Sequence, residues 1–174
     1  MINIIIGTNR KDAVSAKAAH LYQRMLQEKY VECRVLSLRD LPADYTFSAL
    51  YENNGKNDAF NKFRETFKAS EKLVFVIPEY NGSFPGVLKA FIDGLDYPSG
   101  LQEKKCALVG ISSGVQGASI ALSHFTDVLH YLGVHVLGLK VKMGEIHRYL
   151  KEDQLTHPVY QELLHTQADQ LIKF

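Results

Sequence analysis

The sequence predicts a doubly wound α/β fold, a three-layer αβα sandwich around a five-stranded parallel sheet in the order 2-1-3-4-5. Three observations predict it. Five strand-like runs are separated by segments of helical period. The first and third, Ile2 to Ile6 and Leu73 to Ile77, are apolar without interruption, as strands covered on both faces must be. The second and last, Val31 to Leu38 and Val134 to Val141, interleave polar residues such as Glu32, Arg34, His135 and Lys140, and so belong at the edges.

Each element has its own warrant in the chain. After the first strand, Gly7 to Asp12 is a polar turn, and a helix follows with Ala18, Leu21, Tyr22 and Met25 on one face. A strand, a polar loop and a helix N-terminus together make an anion site, because free backbone N–H groups and the helix dipole face the loop. Residues 40 to 58 show no period and hold Pro42, Tyr45, Phe47, Tyr51 and Gly55. A loop this long tends to be functional or covered, so its aromatics are expected to line a subunit contact, to overhang a ligand or to form an ordered surface. Phe60, Phe63 and Phe67 stripe the next helix as core.

Pro78 ends the third strand, and Glu79 to Ser83 form a short loop before Pro85 opens a helix with Val87, Leu88, Phe91, Ile92 and Leu95 on one face. Here a tyrosine face, an amide side chain and a close-approach glycine suit a flat ligand edged with heteroatoms. Cys106 to Ser112 is the fourth strand, running into Ser112-Ser113-Gly114-Val115-Gln116-Gly117, whose glycines let backbone approach a ligand. Ala118, Ala121, Leu122, Phe125, Leu129 and Leu132 then give a helix that Gly133 terminates. A closing helix is expected from about Glu152 to the end, with Leu155, Val159, Leu163 and Leu164 inward. Sheets of this order bind ligands outside the carboxyl ends of the strands, where the Gly7 and Glu79 loops face each other.

Composition excludes several classes of function. With 174 residues, 46% of them hydrophobic, residues 1–174 read as one domain with a sizeable core. A formal charge of +1 and the absence of long basic runs argue against nucleic-acid or membrane-surface partners. No apolar run approaches membrane-spanning length, and a strand beginning at Ile2 leaves no room for a signal peptide; a cytoplasmic protein is expected. Cys33 and Cys106 lie far apart on strands and read as reduced core thiols. His124/His130 and His147/His157 match no compact metal spacing. The chain has neither GxGxxG, GxxxxGK[ST] nor GxSxG, and Ile77-Pro78 stands where a response regulator carries its aspartate.

The segment PEYNGSFPGVLKAFID resembles the flavin-loop signature of the NADPH-dependent FMN reductase family, flavin, quinone, chromate and azo-compound reductases with a flavodoxin-like fold. Gly7-Thr8-Asn9-Arg10 followed by Ser15 resembles the family's phosphate loop, with four residues between Arg10 and Ser15 where two are usual. Ser112 to Gly117 resembles its Ser-x-Gly-x-x-Gly loop beside the pyrimidine ring, while Ala90 and Gly94 replace the usual Asn and Trp. The resemblance implies FMN with its phosphate on Thr8, Arg10 and Ser15. It places the ring on Pro78, Glu79, Tyr80, Asn81 and Gly82, with Ser113, Gly114 and Gly117 donating to the reduced ring. It further implies NADPH or NADH as hydride donor, a quinone, flavin or similar small-molecule acceptor, no metal, and a homodimer or homotetramer. Two other readings stay open: a flavodoxin-type electron carrier without its own reductase activity, and a flavin-free scaffold.

Overall fold

The computed structural model describes residues 1–97 and 100–174. In chain order the elements are β1 (Ile2–Ile6), α1 (Val14–Glu28), β2 (Cys33–Ser37), α2 (Tyr45–Ser48), α3 (Asp58–Lys68), β3 (Lys72–Pro78), α4 (Gly86–Asp93), β4 (Lys105–Ile111), α5 (Ser119–Tyr131), β5 (His135–Val136), β6 (Val141–Met143), α6 (Ile146–Tyr149), β7 (Leu150–Lys151), β8 (Gln154–Leu155) and α7 (Pro158–Lys173). The main sheet is parallel, in the order β2-β1-β3-β4-β5, with β6 also paired to β4.

Strand alternation divides the interior into two cores. Leu73, Phe75 and Ile77 of β3 face Phe60 and Phe67 of α3, Leu88 and Phe91 of α4, and Leu122 and Phe125 of α5. Val74 and Val76 face the other way, onto a layer built from Ala18, Tyr22 and Leu26 of α1 and Leu164, Ala168 and Leu171 of α7. Because side chains on a strand point alternately up and down, an uninterrupted apolar run supplies both layers at once. The Phe75 and Phe125 rings meet edge to face at 4.9 Å, an orientation their quadrupoles favour. Both cysteines are unpaired; burial pushes the Cys106 thiol up to about 12, which keeps it protonated and inert.

The described chain departs from expectation at three places. The last strand is two short pieces, because Gly138 interrupts it and the Leu139 carbonyl turns to accept from Gln167 Nε2 of α7 at 2.7 Å. That same amide nitrogen donates to Leu108 O of β4 at 3.0 Å, so one buried side chain replaces ladder bonds that the missing strand residues would have made. The closing helix starts at Pro158 rather than near Glu152, where Glu152 and Asp153 turn a small hairpin with positive φ values of 48° and 62°. Leu155 is buried on β8, but Val159 faces solvent at 53% exposure, since the inward face of α7 is set by Leu164, Gln167, Ala168 and Leu171. The aperiodic segment 40 to 58 is partly helical and folds over the core. Tyr45 is buried, stacks on Phe60 at 5.5 Å and donates to Val87 O at 2.9 Å, whereas Phe47 and Tyr51 are exposed.

Candidate functional site

The carboxyl ends of β1 and β3 converge through backbone alone. Gly7 N–H donates to Val76 O at 2.9 Å, and a Cβ at Gly7 would stand 3.1 Å from that oxygen and 3.3 Å from Leu88, so a side chain there would press the end of β3 by a few tenths of an ångström. The loop then enters α1 through Ala13, which has no side chain to cap the helix, and the first turn carries no acidic residue. The leading N–H groups of a 15-residue helix are thus left facing the loop without a side-chain acceptor, an arrangement that favours an anion.

A cavity of about 280 Å³ opens at this point. Arg10 and Ser15 line it from the first loop and the start of α1, Pro78, Glu79 and Tyr80 from the end of β3 and the loop after it, and Ser113 from beyond the end of β4. Ser15 is buried, yet its Oγ has no hydrogen-bond partner within the protein. A buried hydroxyl left unpaired costs on the order of 1–3 kcal/mol, so its orphaned state beside a cavity marks a place for a ligand acceptor.

The second loop is a tight turn. Asn81 and Gly82 have φ values of 51° and 77°, and Tyr80 and Ser83 exchange both backbone hydrogen bonds at 2.8 and 3.1 Å, the pattern of an Asn-Gly type I′ turn. Ser83 Oγ reaches His124 Nδ1 of α5 at 3.0 Å and ties the turn to that helix. Across the cleft Tyr80 Oη lies 2.9 Å from Thr8 Oγ1, joining the two loops by a side-chain bond.

The third loop is braced from outside the expected motif. Glu79 N–H donates to Ile111 O, Ser112 N–H to Met143 O, and Glu145 N–H to Gly114 O. Gly117 has φ of 59°, and a Cβ on it would come within 2.6 Å of the Lys142 carbonyl carbon. Its N–H already donates to Ser112 Oγ at 3.0 Å, so Gly117 closes the loop against β6.

Of the expected residues, then, Arg10, Ser15, Pro78, Glu79, Tyr80 and Ser113 come together at the cavity wall. Thr8 stands behind Tyr80; Asn81 and Gly82 shape the turn; Gly114 and Gly117 shape the third loop. Sequence reasoning missed Asp12, Ser112, Ile146 and His147, which also line the cavity. Ser112 lay inside a motif already singled out. Ile146 and His147 sit on the four-residue helix α6, too short to announce itself by periodicity. Among the described residues no helix is long and apolar enough to cross a membrane, and no group of three or more His, Cys, Asp or Glu side chains gathers as a metal site.

Comparison with known proteins bears on the family and the fold. Residues 1–148 match the model of the NADPH-dependent FMN reductase family. The chain is similar to a 2-hydroxy-1,4-benzoquinone reductase of Burkholderia sp., 29% identical over 156 residues that cover 88% of this chain and 79% of that protein. It is also similar to an NAD(P)H-dependent FMN reductase of Pseudomonas aeruginosa, 37% identical over 101 residues, 55% of each chain, and to a quinone reductase of Pseudomonas putida, 29% identical over 67% of this chain and 62% of that one. Among solved structures, the flavoenzyme NAD(P)H:(acceptor) oxidoreductase of Paracoccus denitrificans superimposes with a TM-score of 0.79 at 23% identity, covering 99% of this chain and 94% of the other; at that identity the likeness speaks for the fold.

Proposed function

The chain belongs to the NADPH-dependent FMN reductase family, and from that membership we propose an FMN-dependent NAD(P)H oxidoreductase whose electrons go to a quinone-class small molecule. FMN supplies the redox chemistry when bound, taking hydride from the nicotinamide and passing electrons to the acceptor. One observation carries the reading: Ser15, whose buried hydroxyl has no partner in the protein, lines a cavity together with Ala13 and Val14 at the uncapped N-terminus of α1. Both are donors awaiting an anion of the size and charge of a phosphate monoester.

The protein's part is to bind and orient. Arg10, which lines the cavity, adds a guanidinium whose fork matches phosphate oxygens. Pro78 to Tyr80 offer a flat wall for a ring, rigidified by the Asn81-Gly82 turn below it. Ser113 lines the cavity from the third loop, where its hydroxyl would be available to stabilise the negative charge of a reduced ring. Quinones are favoured as acceptors because the Burkholderia and Pseudomonas putida relatives carry that activity in their names.

We further read the apolar groove between α4 and α5, with Ile92, Leu95, Val128 and Leu132 in its floor and exposed Tyr97 and Tyr131 at its rim, as the contact of a homodimer or homotetramer. Sedimentation that finds only monomer at working concentration counts against it. The test of function is anaerobic: protein loaded with FMN and freed of excess is given NADPH or NADH alone. Rapid bleaching of the flavin is expected; flavin that stays oxidised assigns the protein to the electron carriers, and no retained flavin leaves two readings, a weakly held exchangeable FMN or a scaffold without redox chemistry.

A further inference from the structure

From the hydrogen bonds between the first two loops we infer that Tyr80 is a phosphate-binding donor, aimed by Thr8, and that Thr8 acts through Tyr80 and makes no phosphate contact of its own. The inference rests on the flavin reading above. Its starting point is an accounting of protons. Arg10 N–H, which can only donate, gives its hydrogen to Thr8 Oγ1 at 3.2 Å. Thr8 is 1% exposed and, unlike the equally buried Ser15, is not among the residues lining the cavity, so the hydrogen on its own hydroxyl finds its acceptor inside the protein. The one described partner able to take it is Tyr80 Oη at 2.9 Å.

The 2.9 Å Thr8–Tyr80 contact fits donation in either direction, and the burial of Thr8 away from the cavity selects Thr8 as the donor. That leaves the phenolic hydrogen of Tyr80 without a partner in the protein and free to swing toward the cavity that Tyr80 lines with Arg10 and Ser15. The chain Arg10 N–H to Thr8 to Tyr80 thus ends in a donor, and a chain of hydrogen bonds polarises its last member. Thr8 lies 2.9 Å from Tyr80 Oη in the loop that also carries Arg10, so that donor stands beside the anion end of the site. Tyr80 therefore adds a third side-chain donor to Arg10 and Ser15.

The experiment compares FMN with riboflavin, which has the same ring and no phosphate, by fluorescence titration of the purified protein. Tyr80→Phe is expected to weaken FMN about tenfold, the loss of one hydrogen bond to a charged group, and to leave riboflavin affinity unchanged. Thr8→Val should weaken FMN in the same selective way, Thr8→Ser should restore it, and the double variant Thr8→Val/Tyr80→Phe should bind no worse than Tyr80→Phe alone. A parallel loss of FMN and riboflavin would mean that the hydroxyl serves the ring, and unchanged FMN affinity in Tyr80→Phe would mean that it serves only Thr8; either overturns the inference. A Thr8→Val effect that adds to that of Tyr80→Phe also overturns it, since Thr8 would then act independently. Wild-type protein that takes up neither flavin refutes the underlying flavin reading, an outcome distinct from each of these.

Discussion

Two buried hydroxyls without partners show how much a residue's surroundings decide its meaning. Ser15 Oγ and Tyr22 Oη are both unpaired, but Ser15 lines the cavity while Tyr22 lies in the core between α1 and the sheet. Burial drives the Tyr22 phenol strongly toward its neutral form, with the negative charge of Asp169 adding to it. Replacing Tyr22 by Phe removes a polar atom that nothing satisfies, so chemical denaturation should show stability unchanged or raised by about 1 kcal/mol. Replacing Ser15 by Ala should likewise leave the flavin-free protein as stable as before or slightly more so. The difference appears on adding FMN: Ser15→Ala should bind it about tenfold more weakly, whereas Tyr22→Phe should bind it unchanged. Equal FMN affinity in both variants would return Ser15 to the status of an ordinary core hydroxyl. The sequence made Ser15 a candidate through its loop, yet it carried no sign that Tyr22 lacks a partner, because satisfaction depends on neighbours brought from elsewhere in the chain.

Elements whose period is long and regular were legible, and those held by remote partners were not. The apolar runs of β1 and β3 and the stripes of α3 and α5 announced themselves, because core packing repeats along the chain. The break between β5 and β6 did not, since Gln167 some thirty positions further on supplies the bonds that make the break tolerable. Segment 40 to 58 failed for a related reason: a single residue, Tyr45, anchors it by stacking on Phe60 and donating to Val87 O. That anchor has a pH signature. Burial, helped by Asp93, pushes the Tyr45 phenol up to about 12 from 10.0, so the folded chain keeps a proton that the unfolded chain releases first. The resulting stability is fully present below pH 10 and is lost between pH 10 and 12, with a slope of up to about 1.4 kcal/mol per pH unit. Tyr45→Phe should be about 1 kcal/mol less stable at neutral pH for want of the bond to Val87, and should lose part of the alkaline slope. Urea midpoints measured across that range check both; an alkaline slope identical to wild type would mean that other groups set it.

At the scale of the whole molecule, the site belongs to the sheet as a unit. Its walls come from the segments after β1, β3, β4 and β6, and each is pinned to the next through backbone: Gly7 to Val76, Glu79 to Ile111, Ser112 to Met143. The order 2-1-3-4-5 was readable because it places the two most apolar strands side by side at the switch point, and the ligand crevice with them. The brace from β6 and α6 was not, although it holds the third loop in place and sets His147 on the rim. A ligand that touches all four segments can bind only when the sheet is assembled, and the unfolded chain offers it nothing comparable. Binding must therefore stabilise the fold as one transition. At free FMN one hundred times its Kd the gain is about 2.7 kcal/mol, which for a chain of this size raises the Tm by about 5–10 °C. Riboflavin should raise it less at the same concentration, and Arg10→Ala should shrink the FMN increment while leaving the flavin-free Tm in place, because the Arg10 side chain is exposed and makes no hydrogen bond or ion pair among the described residues. Scanning calorimetry over a series of FMN concentrations makes the measurement. A transition that splits, with only part of its enthalpy moving, would show that the cavity walls fold apart from the rest of the sheet; one that does not move at any concentration would show that the cavity does not hold FMN.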